Sequence, residues 1–122
     1  RWILFANNWP NSPVPVKVHE QQKACAPQLN SGMFASMKEM GDILGVFVGH
    51  DHDDDYAVFW KGILLAYGRY TGGDTVYNNL SNGARVIEMT EGSTNFRTWI
   101  RLKGGEVINT VNYPSDFIKK KD

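Results

Sequence analysis

Two apolar runs, Ala57–Trp60 and Ile63–Tyr67, stand on either side of the dipeptide Lys61-Gly62. A connection of two residues closes neighbouring strands into a tight antiparallel hairpin, since only a turn that follows the strand twist fits so short a span. This fixes an antiparallel ribbon near the middle of the chain. Downstream, Phe96–Leu102 alternates cleanly: Phe96, Thr98, Ile100 and Leu102 share one face, and Arg97, Trp99 and Arg101 share the other. Lys103-Gly104-Gly105 turns the chain into a further strand, Glu106–Asn112, which Pro114 ends. Arg85–Thr90 reads as a strand as well, and Val46-Phe47-Val48 as a short apolar, β-branched one.

One helix is predicted over residues 32–41. Met33, Met37, Met40 and Leu44 recur at helical spacing, with Ser31 as N-cap and Gly41 as C-terminal stop. The methionine stripe reads as core filler, because thioethers fill irregular gaps. Residues 1–30 read as irregular. Pro10, Pro13, Pro15 and Pro27 remove backbone donors and Asn7, Asn8, Asn11 and Ser12 favour turns, leaving a short extended piece at Trp2–Phe5. Residues 68–83 form a Gly- and Asn-rich loop, and Lys119, Lys120, Lys121 and Asp122 a solvated tail. The expected fold class is α+β in one domain, residues 1–122: an irregular segment 1–30, a helix-and-strand portion 31–117 with five or six mostly antiparallel strands, and a charged tail 118–122.

Composition removes several functions. The chain has 122 residues, room for a single domain. Its 13 Lys and Arg balance 13 Asp and Glu, so no charge excess is available to neutralise nucleic-acid phosphates. Cys25 is the sole cysteine, which excludes an internal disulfide and a cysteine-based zinc site. No apolar run approaches the roughly 20 residues that a membrane helix needs.

The sharpest chemical feature is Gly49-His50-Asp51-His52, just past the Val46–Val48 run. Gly49 permits the backbone to turn close to an ion, and neutral imidazole is a common ligand for zinc, iron and nickel. Asp51, Asp53, Asp54 and Asp55 could orient the imidazoles or favour a cation. By spacing alone, His-x-His is also that of an ordinary surface pair. The series Asp51, Asp53, Asp55 is not a calcium loop, since Tyr56 and Gly62 occupy the positions that need Gly and Glu.

The residues around that motif go further. Asn30-Ser31-Gly32-Met33-Phe34, the helix, and the run Gly45–Tyr56 resemble the C-terminal block of calcineurin-like metallophosphoesterases. The resemblance is closest to the bacterial and fungal branch described as purple-acid-phosphatase-like, whose last metal motif is G-H-x-H followed by an acidic pair and an aromatic residue, here Asp54-Asp55-Tyr56. Ala57–Tyr67, Gly68-Arg69-Tyr70, Gly83–Glu88 and Thr98–Leu102 carry it on, so that it covers about residues 23–117. The resemblance implies the C-terminal half of a four-layer α/β/β/α sandwich. It implies a centre of two metal ions (iron, manganese or zinc) that activates a water to hydrolyse phosphate mono- or diesters. It assigns His50 to the second metal and His52 to the first.

The family's upstream D-x-H, G-D-x-x-D and G-N-H motifs do not occur in this chain. His19 is the one candidate for its remaining histidine, and Lys17-Val18-His19-Glu20 does not match the family's segment. The expectation is therefore a C-terminal portion of a phosphoesterase that is inactive alone. The start at Arg1-Trp2-Ile3-Leu4-Phe5, without Met or signal peptide, agrees with a piece of something longer. Exposed Trp2 and Trp9 would then favour self-association. Relatives in the bacterial branch are often exported, which points to an exported or periplasmic parent.

Four further residues are candidates for substrate contact or for support of the histidines. Arg69 could reach a phosphate or be a surface arginine on a flexible turn. Asp54 and Asp55 could orient the imidazoles or belong to a solvated acidic loop. Asn30 could wall the site or shape the turn before the helix. Cys25 reads as a small buried hydrophobe, and Trp60 and Trp99 as packing residues. A different class remains open: a non-enzymatic β-rich module that binds carbohydrate or protein through its tryptophans and Gly/Asn loops.

Overall fold

The computed structural model describes residues 28–72 and 80–118 in full, together with the backbone strands 2–7 and 15–19. In chain order the elements are β1 (Trp2–Asn7), β2 (Pro15–His19), α1 (Met33–Met40), β3 (Ile43–Gly49), β4 (Asp55–Trp60), β5 (Ile63–Tyr67), β6 (Gly83–Met89), β7 (Phe96–Leu102), β8 (Val107–Tyr113) and a 3₁₀ turn at Ser115–Phe117. Cys25, Trp9 and residues 119–122 lie outside the described residues, as do the side chains of Trp2 and His19.

Among the described residues, eight strands make two sheets, one of order β1-β3-β5-β4-β2 and one of order β6-β7-β8. The β4–β5 hairpin forms as the spacing requires, with Trp60 opposite Ile63. Lys61 and Gly62 both take positive φ (46° and 88°), as a two-residue hairpin turn demands. The alternation along β7 also holds: Phe96, Thr98 and Ile100 are buried while Arg97 and Arg101 are exposed.

The reading of residues 1–30 as irregular needs correction. Both β1 and β2 lie there, at the two edges of the larger sheet. Pro15 is the first residue of an edge strand, where its missing N–H disturbs no ladder. β1 pairs parallel to β3, ending with Asn7 opposite Gly49, and β2 pairs antiparallel to β4, with His19 opposite Asp55. Those partners are distant in sequence, so local turn chemistry does not reveal them.

The helix falls within the predicted range, but its N-terminus differs. Gly32, at φ 77°, is the cap residue rather than Ser31, and Asn30 Oδ1 accepts the Gly32 N–H at 3.0 Å. Gly41 ends the helix at φ 74°, its N–H donating to the Met37 carbonyl. The methionine stripe is core at one position only: Met37 is buried, whereas Met33 and Met40 are 53% and 63% exposed. An eight-residue helix lying on β3 turns a single residue fully inward.

The larger sheet is covered on both faces. Ile43, Val46, Val48, Val58, Ile63, Leu65 and Tyr67 pack beneath Met37 on the helix side. Leu44, Phe47, Ala57, Leu64 and Ala66 face Phe96, Val111 and Tyr113 of the smaller sheet. The alternation along β5 divides it between the two cores, which is why all five of its residues are buried. Gly45 lets the sheets approach, since a Cβ there would lie 3.2 Å from the Phe47 ring and 3.4 Å from Phe96. The described residues thus build three layers, helix on sheet on sheet, consistent with α+β; the fourth layer of the expected sandwich is not among them.

Candidate functional site

The sheet order creates the site. β3 and β4 follow each other in sequence yet are not neighbours, because β5 lies between them. β3 runs parallel to β5 and β4 antiparallel to it. The connection 50–54 must therefore cross the carboxyl end of β5, and it carries the His-x-His motif over that edge. Carboxyl ends of parallel strands are where α/β sheets commonly place ligands.

His50 takes φ 118°, a left-handed value that a side chain with a Cβ rarely adopts. Its imidazole and that of His52 are exposed. The His52 ring lies 6.3 Å from the Tyr70 ring, centroid to centroid. The acidic residues around them behave differently. Asp51 is buried and accepts the Tyr67 hydroxyl proton at 2.9 Å. Burial, followed by the hydrogen bond to Asp51, pushes the Tyr67 phenol up to about 12.

Asp54 and Asp55 are buried too, so the solvated-loop reading of this pair does not hold. Asp55 Oδ2 accepts Arg69 Nε at 2.8 Å and a second guanidinium N–H from Nη2. Asp55 Oδ1 accepts Asn109 Nδ2 at 3.0 Å, from β8 of the smaller sheet. Arg69 is itself buried and also donates Nη1 to the Ser81 carbonyl at 3.0 Å. It is neither a loose surface arginine nor a guanidinium left open to solvent. A forked, fully buried pair of this kind is charge-assisted and geometrically specific.

Arg85 adds a second cross-sheet link. Its Nε donates to the Tyr67 carbonyl at 2.6 Å, and Nη2 reaches the Tyr56 carbonyl at 3.4 Å. Burial pushes its guanidinium down to about 10, which leaves it charged at neutral pH. Asn30 stands apart from this cluster, serving the turn into α1.

Sequence reasoning singled out His50, His52, Asp54, Asp55 and Arg69, and the fold gathers the loop, Asp55 and Arg69 at one edge. It missed Tyr67, Asn109 and Arg85. Tyr67 carries a signal in retrospect: a phenol closing an otherwise apolar buried strand needs a partner. Asn109, at φ 53° in β8, is a poor strand former whose role appears only across sheets.

The donor chemistry fits one share of a metal centre and not the whole. Two exposed imidazoles suit a transition-metal ion, but Asp51 and Asp55 already serve Tyr67, Arg69 and Asn109. Among the described residues, no group of three or more His, Cys, Asp or Glu side chains is arranged to hold a metal.

Neither a protein-family model nor a solved structure matches the chain. Three plant proteins do. The chain is 45% identical over 47 residues to "Probable inactive purple acid phosphatase 14" of Arabidopsis thaliana, a match covering 38% of this chain and 12% of the relative. It is 44% identical over 48 residues to "Probable inactive purple acid phosphatase 29" of the same plant, covering 39% and 12%. The third match, "Probable inactive purple acid phosphatase 28", is 31% identical over 91 residues, covering 67% of this chain and 23% of the relative. The matched segments thus span between 12% and 23% of the relatives' length. The chain is similar to phosphatase-like proteins whose names call them inactive. The relatives found are plant proteins, so the finer placement in a bacterial and fungal branch is not supported.

Proposed function

We propose that this chain is part of a calcineurin-like, purple-acid-phosphatase-like phosphoesterase domain, that it contributes His50 and His52 to a metal centre completed by other residues, and that by itself it does not hydrolyse phosphoesters. The observation that carries this reading is the crossing loop: it holds His50 in a costly backbone conformation and sets two imidazoles at the carboxyl edge of parallel strands. Similarity to the three plant proteins supports the phosphatase-like part.

In a completed centre, bound iron, manganese or zinc ions would polarise phosphoryl oxygens and supply an activated water. This chain's share is narrower. The loop orients two neutral imidazoles outward, and the ion pair beneath it keeps water from the Asp55 carboxylate. The substrate would be a phosphate mono- or diester, with charge neutralised by metal ions rather than by a basic surface, in keeping with the zero net charge.

The test is an assay of the chain with p-nitrophenyl phosphate and bis-p-nitrophenyl phosphate in the presence of manganese, iron or zinc. No metal-dependent turnover is expected. Turnover that disappears in His50→Ala would overturn the claim of inactivity. The binding-module alternative would need aligned, exposed aromatic rings; of the tryptophans whose side chains are described, Trp60 packs against the helix-side core and Trp99 lies half-buried under the Arg97 guanidinium.

A further inference from the structure

We infer that Tyr67, Arg69 and Asn109 are positioning residues for the histidine pair, and that Asp51 and Asp55 are the handles by which they grip its loop. The inference rests on the proposed reading of His50 and His52 as cation donors and extends it to residues that bind the carboxylates beside them.

The grip is a consequence of topology. Because residues 50–54 cross the end of β5, whatever leaves β5 lies directly beneath them. Gly68 N–H donates to the Val48 carbonyl at 2.8 Å, carrying the parallel ladder one residue past β5. Tyr67 and Arg69, on either side of Gly68, therefore emerge under the loop. Tyr67 takes its first residue after His50, Asp51; Arg69 takes the residue that opens β4, Asp55. Asn109 reaches the same Asp55 from the smaller sheet.

All four members of the two main grips, Asp51, Tyr67, Asp55 and Arg69, are buried. Hydrogen bonds between such groups are not traded freely for water, and an unmatched partner is costly. Two fixed ends explain how His50 keeps its φ of 118°, since strained backbone persists only where its surroundings over-determine it. His50, just before the first grip, and His52, between the two, are exposed. Anchored carboxylates and exposed imidazoles give a preformed donor pair, which binds a cation without first having to order a loop.

Two measurements on the intact chain test this. Native-state amide exchange compares residues 50–54 with β7, and a zinc titration follows the His50 and His52 ring signals, with His52→Ala as the control for site. Tyr67→Phe removes one hydroxyl and keeps the ring. It should speed exchange in residues 50–54 at least tenfold more than in β7, and weaken zinc binding by about tenfold or more, the usual effect of losing a group that orients a ligand. Arg69→Lys keeps the charge but loses the fork. It provides the same comparison if Tyr67→Phe does not fold, with a smaller loss expected.

Equal acceleration of the loop and β7 in both variants would overturn the inference, because the residues would then serve global stability alone. Zinc binding of unchanged strength in both variants would overturn it as well, while leaving the proposed function standing. If the parent chain shows no zinc-dependent shift of either ring, the proposed donor role of the histidines fails. Loop-specific acceleration in the variants would then still support the positioning role.

Discussion

Two connections at opposite ends of the larger sheet each contain a non-glycine residue with positive φ, and they are held in different ways. Lys61-Gly62 closes the β4–β5 hairpin, and Lys61 takes φ 46° because a two-residue turn needs it. Its outside contacts go to main-chain oxygens: Lys38 Nζ donates to the Lys61 carbonyl at 2.6 Å, and the Tyr113 hydroxyl to the Gly62 carbonyl at 2.9 Å. Residues 50–54 join strands that are not neighbours, and His50 takes φ 118° at a bend just before a turn at 52–53. That connection is held by carboxylates whose partners lie 14, 16 and 54 residues away. Local chemistry makes the first connection. The second exists only once β5 and β8 are in place, which is also what allows it to keep a strained histidine.

This contrast can be broken by mutation, and the largest effect should come from Asp55→Ala. Removing that carboxylate leaves the Arg69 guanidinium buried without its partner, a loss of about 3–5 kcal/mol. Urea denaturation would show it, and a loss below about 1 kcal/mol, the range of exposed pairs, would mean that the pair is effectively solvated. Next is Tyr67→Phe, which strands the buried Asp51 carboxylate and should cost about 1–3 kcal/mol at neutral pH.

The same variant has a pH signature. The Tyr67 phenol sits higher in the folded chain, at about 12, than the ordinary value of 10.0. A raised folded value contributes stability that is fully present below the unfolded pKa and is lost as pH rises through the folded one. The parent chain should therefore lose this contribution between about pH 10 and pH 12, and Tyr67→Phe should lack that part of the decline. Parallel stability curves for the two proteins across that window would contradict the buried phenol.

A smaller change of opposite sign is expected for His50→Gly. Glycine relieves about 1–3 kcal/mol of backbone strain and gives back about 0.5–1 in chain entropy, so the variant should be more stable by roughly 1 kcal/mol. It also lacks the imidazole, so a gain in thermal midpoint should accompany weaker zinc binding. A loss of stability would show that His50 makes compensating contacts. The smallest effect belongs to the hairpin: Lys61→Asn, a residue that the turn prefers, should raise stability by less than about 1 kcal/mol. A large change there would mean that this turn, too, depends on its surroundings.

What was legible in the chain followed local periodicity. The Lys61-Gly62 hairpin, the alternation in β7, the glycine turn at 104–105 and the helix stop at Gly41 all depend on neighbours within a few residues. Residues 1–30 read as irregular because proline and asparagine dominate them, yet β1 and β2 are recruited by β3 and β4 from far along the chain. The methionine spacing predicted a buried stripe, but spacing gives a face and not its extent, and only Met37 meets the sheet fully. At the site, the histidine motif was visible as letters. Arg69 looked like part of a Gly-rich loop, and nothing near it in sequence shows that its guanidinium is enclosed.

By itself, then, the sequence determined the α+β class, the hairpin, the strand that alternates and the edge position of the His-x-His motif. Each depends on side-chain period and turn conformation within a short window. Tertiary structure alone decided that β5 lies between β3 and β4, so that the loop must cross it. It decided as well that Asp51 and Asp55 face inward to Tyr67, Arg69 and Asn109 while His50 and His52 face out. Burying a carboxylate is favourable only where donors converge on it, and these donors come from separate parts of the chain.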